Sequence, residues 1–212
     1  MSRDRLTITL DDALLSAVDG TIDGSSVRNR SHAIEHLIRQ GLRLHELTHV
    51  VLTAGAASDQ PLIPLLAEKL NATNIIRCMI ISDPNHPTWA TEVAASLGSL
   101  SSRLQTKILP GDFGSAAALT LAANELLTPF LSIELGPETM LPPSFLPLYT
   151  AHHQSGNVVT HLLTTEDGTT FHQSGVRVID ASFITSIPAG RADLQDVFPL
   201  LAKAGRVGTY VE

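Results

Sequence analysis

The run IIRCMII at residues 75–81 is apolar at every position except Arg77. A strand with one wet face alternates apolar and polar residues. A run without alternation suits a strand covered on both faces, as in a parallel sheet between two helical layers. Working outward, the same texture recurs in Val50-Val51-Leu52, which runs into Thr53-Ala54-Gly55, and Phe130 to Leu135 is a third strong strand. Helical stretches separate these runs: PLIPLLAEKL (61–70), residues 86–103, and the alanine-rich GSAAALTLAANELL (114–127), with a short strand over Thr106 to Leu109. Downstream the pattern predicts a helix over 143–155, a strand from Asn157 to Thr165 and a turn at Glu166-Asp167-Gly168. A strand over 175–180 (GVRVID), a helix in ADLQDVFPLLAKAG and a last strand in RVGTYVE complete it. Strands alternating with helices predict an α/β layered sandwich with a largely parallel sheet over residues 50–212.

The 212 residues are 43% hydrophobic and 17% charged, which suits a globular chain with a sizeable, mostly aliphatic core, since aromatics are only 4%. Net charge is −7, but it is uneven. Residues 1–48 hold six basic against seven acidic side chains, all six being Arg, whereas residues 49–212 hold eight against fourteen. A local DNA-binding face is therefore compatible with an acidic chain. Cys78, the one cysteine, sits mid-run and reads as a small buried hydrophobe. The first twenty residues do not resemble a signal peptide, and no apolar run approaches the roughly 18 residues of a membrane span. A cytoplasmic protein without a membrane partner is expected.

The first fifty residues have a different texture. In Arg5-Leu6-Thr7-Ile8-Thr9-Leu10 the period is two, with Leu6, Ile8 and Leu10 on one side and Arg5, Thr7 and Thr9 on the other. Asp11 is an N-cap candidate for a first helix carrying Leu14, Leu15, Val18 and Ile22. Gly20 inside that helix costs about 1 kcal/mol relative to Ala, so the helix is expected to fray there. Asp23-Gly24-Ser25-Ser26 is a turn, and Ser31 is the N-cap candidate of a second helix that begins to end at Gly41. A lone strand leaves its backbone groups unpaired, and a unit of this size rarely stabilises itself. Pairing two copies through their strands solves both problems, so a homodimer is expected.

RLTITL with its acidic helix start, and VRNRSHAIEHLIRQGL with its lead-in, resemble the ribbon-helix-helix family of DNA-binding proteins (the Arc/MetJ/CopG class). The resemblance covers residues 3–44. It implies a two-stranded ribbon in the major groove of double-stranded DNA, with Arg3, Arg5, Thr7 and Thr9 directed at the duplex. It also implies a phosphate at the start of the second helix, held by backbone N–H groups around Ser31 and His32 and flanked by Arg28, Asn29 and Arg30. Residues 45–49 are read as a linker; His45 and His49 are four apart, a metal-sharing spacing on a helix, but nothing nearby completes such a site.

VVLTAG, GDFGSAAALTLAANELLTPFLSIELG and SGVRVIDASFITSIPAGRADLQDVFPLLAKAGRVGTYV resemble segments of the sugar-phosphate nucleotidyltransferase superfamily, a Rossmann-like fold. By that resemblance Ala54, Gly55, Gly114 and Ser115 line a ligand site, with a nucleotide or sugar nucleotide as the candidate ligand. Two departures stand out. The loop after Gly55 reads AASDQPLIP, without the Lys and Arg that neutralise a triphosphate. The strand Phe130–Leu135 runs into Leu-Gly-Pro-Glu rather than the family's metal-binding Gly-Asp. These departures predict a catalytically dead domain with no catalytic residue, metal or cofactor. The main expectation is thus a dimeric DNA-binding protein, a transcriptional regulator with a nucleotidyltransferase-like domain for ligand sensing or for assembly into higher oligomers. The alternatives are an active sugar-phosphate nucleotidyltransferase with an N-terminal dimerisation unit, and a DNA partition or chromosome-organising protein.

Overall fold

The computed structural model describes residues 7–24, 27–41, 46–54, 62–82, 87–109, 115–165, 169–187 and 193–212. The chain divides into two compact units, Met1–Leu44 and His45–Glu212.

In the first unit, α1 spans Asp12–Asp19 and α2 spans Arg30–Gly41. Asp11 caps α1: its Oδ1 accepts the Leu14 N–H at 2.8 Å. Gly20 ends the helix, donating its N–H to Ser16 at 3.0 Å, so the expected helix is cut short of Ile22. The turn between the helices is closed by Asp23, whose Oδ1 accepts the Val27 N–H at 2.8 Å, and by Gly24 at φ +74°. The cap of α2 is Asn29 rather than Ser31: its Oδ1 accepts the His32 N–H at 3.0 Å, and Ser31 already lies within the helix. Val18, Val27 and Ala33 form a small core, with Leu10, Ile22, Ile34 and Leu37 packed around it.

The second unit is built on one seven-stranded sheet, β1 His49–Ala54, β2 Arg77–Ser82, β3 Leu104–Ile108, β4 Phe130–Leu135, β5 Val159–Thr165, β6 Phe171–Ile179 and β7 Val207–Val211. The strand order is β3-β2-β1-β4-β6-β5-β7. Every pairing is parallel except those of β6, which runs antiparallel to both β4 and β5. The helices are α3 Leu62–Asn71, α4 Pro87–Ser96, α5 Ala116–Leu126, α6 Leu146–Ser155 and α7 Leu194–Lys203, with 3-10 turns over Gly98–Arg103 and Ala181–Ser186. The stretch expected as one helix over 86–103 is therefore a helix followed by a 3-10 turn.

The unalternating strands are buried from both sides. Val50, Leu52, Cys78, Ile80, Leu131 and Ile133 pack into one core with Leu66, Leu70, Trp89 and Tyr149. Val51, Met79, Ile81 and Phe130 pack into the other with α5, Phe183 and α7. Each fully buried aliphatic side chain contributes about 1.5–3 kcal/mol relative to exposure. Leu47 and Thr48 are buried ahead of β1, and His49 opens that strand rather than standing on a helix; His45 lies outside the described residues. Burial raises the Cys78 thiol to about 12, which keeps it protonated and inert. No helix among the described residues is long and apolar enough to cross a membrane.

Candidate functional site

On β4 the period of two sends Phe130, Ser132 and Glu134 to one face, the face covered by α5 and α7. Arg177 of β6 pairs in register with Ser132, and His161 of β5 pairs with Arg177. Three polar residues on adjacent strands therefore line up under α7. Phe198 of α7 lies over them. Its ring meets His161 edge-on at 4.7 Å, and the Arg177 guanidinium carbon sits 5.4 Å from its centroid.

Arg177 is the unusual member. Its side chain is only 7% exposed, and its Nη2 donates to Glu134 Oε2, whose side chain is 42% exposed. Its Nε and the Ser132 hydroxyl are both buried without a hydrogen-bond partner among the described residues. Buried polar groups are seldom left so. Burial, and secondarily Arg177, pulls His161 down to about 4, so this imidazole is neutral around pH 7.

Arg177, Glu134 and Phe198, but not Ser132 or His161, open into a cleft of about 760 Å³ at the carboxyl end of β4. Arg177, Glu134, Glu138, Ser115, Asp193 and Phe198 are among its lining residues. The loop after β4 is pinned by Thr139, whose hydroxyl donates to the Glu134 carbonyl and accepts the Gly136 N–H at 2.9 Å. Gly175 approaches this loop at φ +76°; a Cβ there would lie 3.0 Å from the Glu134 carbonyl oxygen and 3.2 Å from Thr139 Oγ1. Also lining the cleft, Asp193 Oδ1 accepts the Ser115 N–H at 2.8 Å and its hydroxyl at 3.3 Å. The Ser115 oxygen in turn accepts the Leu194 N–H at 2.9 Å. The starts of α5 and α7 are thereby fastened together. Carboxyl ends of strands are where open α/β sheets hold ligands.

Among the ligand-site residues expected from the sequence, Ser115 lines this cleft. Ala54 ends β1, paired with Leu135 of β4. Gly55 and Gly114 lie outside the described residues, as do Arg3 and Arg5 of the DNA-contact set. Thr7 and Thr9 are exposed, as are Arg28, Asn29, Ser31 and His32. Arg30 forks onto Asp19, Nε to Oδ1 and Nη2 to Oδ2, both at 2.6 Å; this bond holds the Asp19 carboxyl below its ordinary value. The sequence reading missed Arg177, Asp193 and Phe198. One signal was available: Arg177 is the only charge inside the apolar run GVRVI, and a lone charge in a buried strand asks for a partner or a ligand.

No family model and no curated protein matches the chain. Solved structures do. One, from Bacillus anthracis and described as a glucose-1-phosphate thymidylyltransferase in complex with sucrose, superposes with a TM-score of 0.58 at 15% identity, covering 78% of this chain and 87% of its own. Another, the inositol-1-phosphate CTP transferase of T. maritima, gives 0.54 at 10% identity, covering 78% and 86%. Over 78% of its length the chain shares the fold of these two structures.

This corrects the expectation of a dead domain. Structures sharing the fold are described as transferases. The expectation was drawn from two places, and neither carries it. Residues 55–61 of the loop after β1 lie outside the described residues, and Leu62–Pro64 open α3. At the end of β4, Glu134, Glu138 and Arg177 supply charge from positions other than the family's Gly-Asp.

Proposed function

We propose that the His45–Glu212 unit is an enzyme of the nucleotidyltransferase class, acting on a nucleoside triphosphate and a sugar phosphate in the cleft beside β4 and β6. In such a reaction a phosphate oxygen of the sugar phosphate attacks the α-phosphorus of the triphosphate. The bond to the β-phosphate breaks and pyrophosphate leaves. The observation that carries this reading is the buried, cleft-lining Arg177 at the carboxyl end of β4, in a fold shared with proteins described as nucleotidyltransferases. A preorganised cation in a low-dielectric wall is what charge development on phosphate oxygens requires. Phosphoryl chemistry of this kind also uses a divalent ion. Among the described residues no three His, Cys, Asp or Glu side chains gather to hold one, so they do not fit a resident metal. The test is pyrophosphate release from the full chain with Mg²⁺ across nucleoside triphosphates and sugar 1-phosphates. Release that depends on both substrates supports the reading, and no release with any pair removes it.

The Met1–Leu44 unit supports a second role, binding of double-stranded DNA as a homodimer. The favouring observation is the exposure pattern of residues 7–10. Thr7 and Thr9 face solvent, Leu10 joins the small core, and Ile8, in the same apolar row as Leu10, is left 45% exposed. A second copy pairing along this segment covers Ile8 and leaves both threonines outward. Arg28 and the start of α2 would then meet phosphates; Arg30 joins them only by leaving Asp19. Fragments that co-purify with the protein, and a steep loss of binding with salt, test this role. Shallow salt dependence contradicts it.

A further inference from the structure

We infer that Arg177, backed by Ser132, is an oxyanion seat for a phosphate of the cleft's ligand, and that Glu134 is the exchangeable partner which the phosphate replaces. The inference rests on the cleft being the ligand site and adds a group that recognises the ligand.

Four observations converge. Arg177 is fixed: its side chain is 7% exposed and held against Phe198. Glu134 is not: its side chain is 42% exposed and can turn out to water while the guanidinium stays in place. The contact joins Arg177 Nη2 to Glu134 Oε2 and leaves Nε buried without a partner among the described residues. Ser132, the register neighbour of Arg177, buries a hydroxyl that is likewise unpartnered. A guanidinium offers a planar fork of donors, and a phosphate accepts two of them side by side. Replacing one carboxylate contact by a forked phosphate contact keeps the buried charge neutralised while satisfying Nε; the Ser132 hydroxyl, on the register neighbour of Arg177 though not itself lining the cleft, can donate to the same anion once Glu134 has turned away. The other cleft carboxylates are otherwise engaged: Glu138 is exposed to water, and Asp193 accepts from Ser115.

The experiment is calorimetric titration of the full-length protein with inorganic pyrophosphate at low salt, for wild type, Glu134→Gln, Arg177→Lys and Ser132→Ala. Glu134→Gln keeps the side chain's shape and removes the competing charge, so pyrophosphate should bind about tenfold tighter. Arg177→Lys keeps the charge and loses the fork, so binding should weaken at least about tenfold. Ser132→Ala should weaken it by a smaller factor. Unchanged or weaker binding in Glu134→Gln overturns the inference, whether or not Arg177→Lys folds. Repeating the Glu134→Gln titration with a nucleoside triphosphate and with glucose 1-phosphate identifies whose phosphate takes the seat; tightening for neither overturns it. Failure of this inference is distinguishable from failure of the transferase reading. Tighter anion binding in Glu134→Gln with no pyrophosphate release by wild type removes transfer and keeps the seat. Release by wild type with unaltered anion binding in Glu134→Gln keeps transfer and removes the seat.

Discussion

Ser132 and Arg177 face one another in register across β4 and β6, and each buries a polar atom with no hydrogen-bond partner among the described residues. Two such atoms on register neighbours, of which Arg177 lines the cleft, are costly to a resting fold and useful to a ligand. In the absence of anions, Ser132→Ala removes a desolvated hydroxyl. It should be neutral or stabilising by up to about 1 kcal/mol in urea unfolding. Destabilisation by more than about 1 kcal/mol would mean that the hydroxyl already has a partner.

Gly175 is the second constraint on this wall. At φ +76°, with a Cβ position 3.0 Å from the Glu134 carbonyl oxygen, alanine is strained in both backbone and contact. Gly175→Ala should cost about 1–3 kcal/mol in the same assay and loosen the loop that Thr139 pins. Stability equal to wild type would show that the strand relaxes there freely.

Two buried histidines set an acid limit. His161 is held down to about 4 by burial and then by Arg177; His152 is held down to about 4 by burial, partly opposed by Asp180. His152 Nδ1 lies 2.9 Å from Thr160 Oγ1. Between pH 4 and 6.5 the unfolded chain binds protons that the folded chain refuses, so stability rises with pH through that window. It should be flat above about 6.5 and fall by at most on the order of 3 kcal/mol per histidine toward pH 4. Urea midpoints across this range check it, and replacing His161 with Phe should flatten part of the slope.

In the first unit Asn29, not Ser31, caps α2. Asn29→Ala should destabilise that unit by about 1 kcal/mol, and Ser31→Ala by a few tenths at most. Helicity followed by circular dichroism during thermal unfolding separates the two. Equal losses would mean that the cap is shared.

The sheet was legible because VVL and, Arg77 apart, IIRCMII are apolar on both faces, which suits strands sandwiched between helical layers. The caps were less so. Ser31 and Asn29 are two residues apart and both cap well; the turn geometry decided, not the residue type. The antiparallel course of β6 was not legible either, because its direction is set by which neighbours it meets. The site was the least legible part. Glu134 and Arg177 are 43 positions apart in the chain, and Ser115 and Asp193 are 78 apart. No local spacing pairs them. Judging the chemistry at the family's own positions, the loop after Gly55 and the end of β4, overlooked a charge carried on β6.

The central claim is that the cleft beside Arg177 performs nucleotidyl transfer. Its most direct measurement is phosphorus NMR of the full chain incubated with Mg²⁺, a nucleoside triphosphate and a sugar 1-phosphate. The account predicts paired diphosphate resonances of a sugar nucleotide growing with free pyrophosphate, and their loss in Arg177→Met. Unchanged substrate spectra with wild type across the substrate set, or the same product formed by Arg177→Met at the wild-type rate, would contradict it.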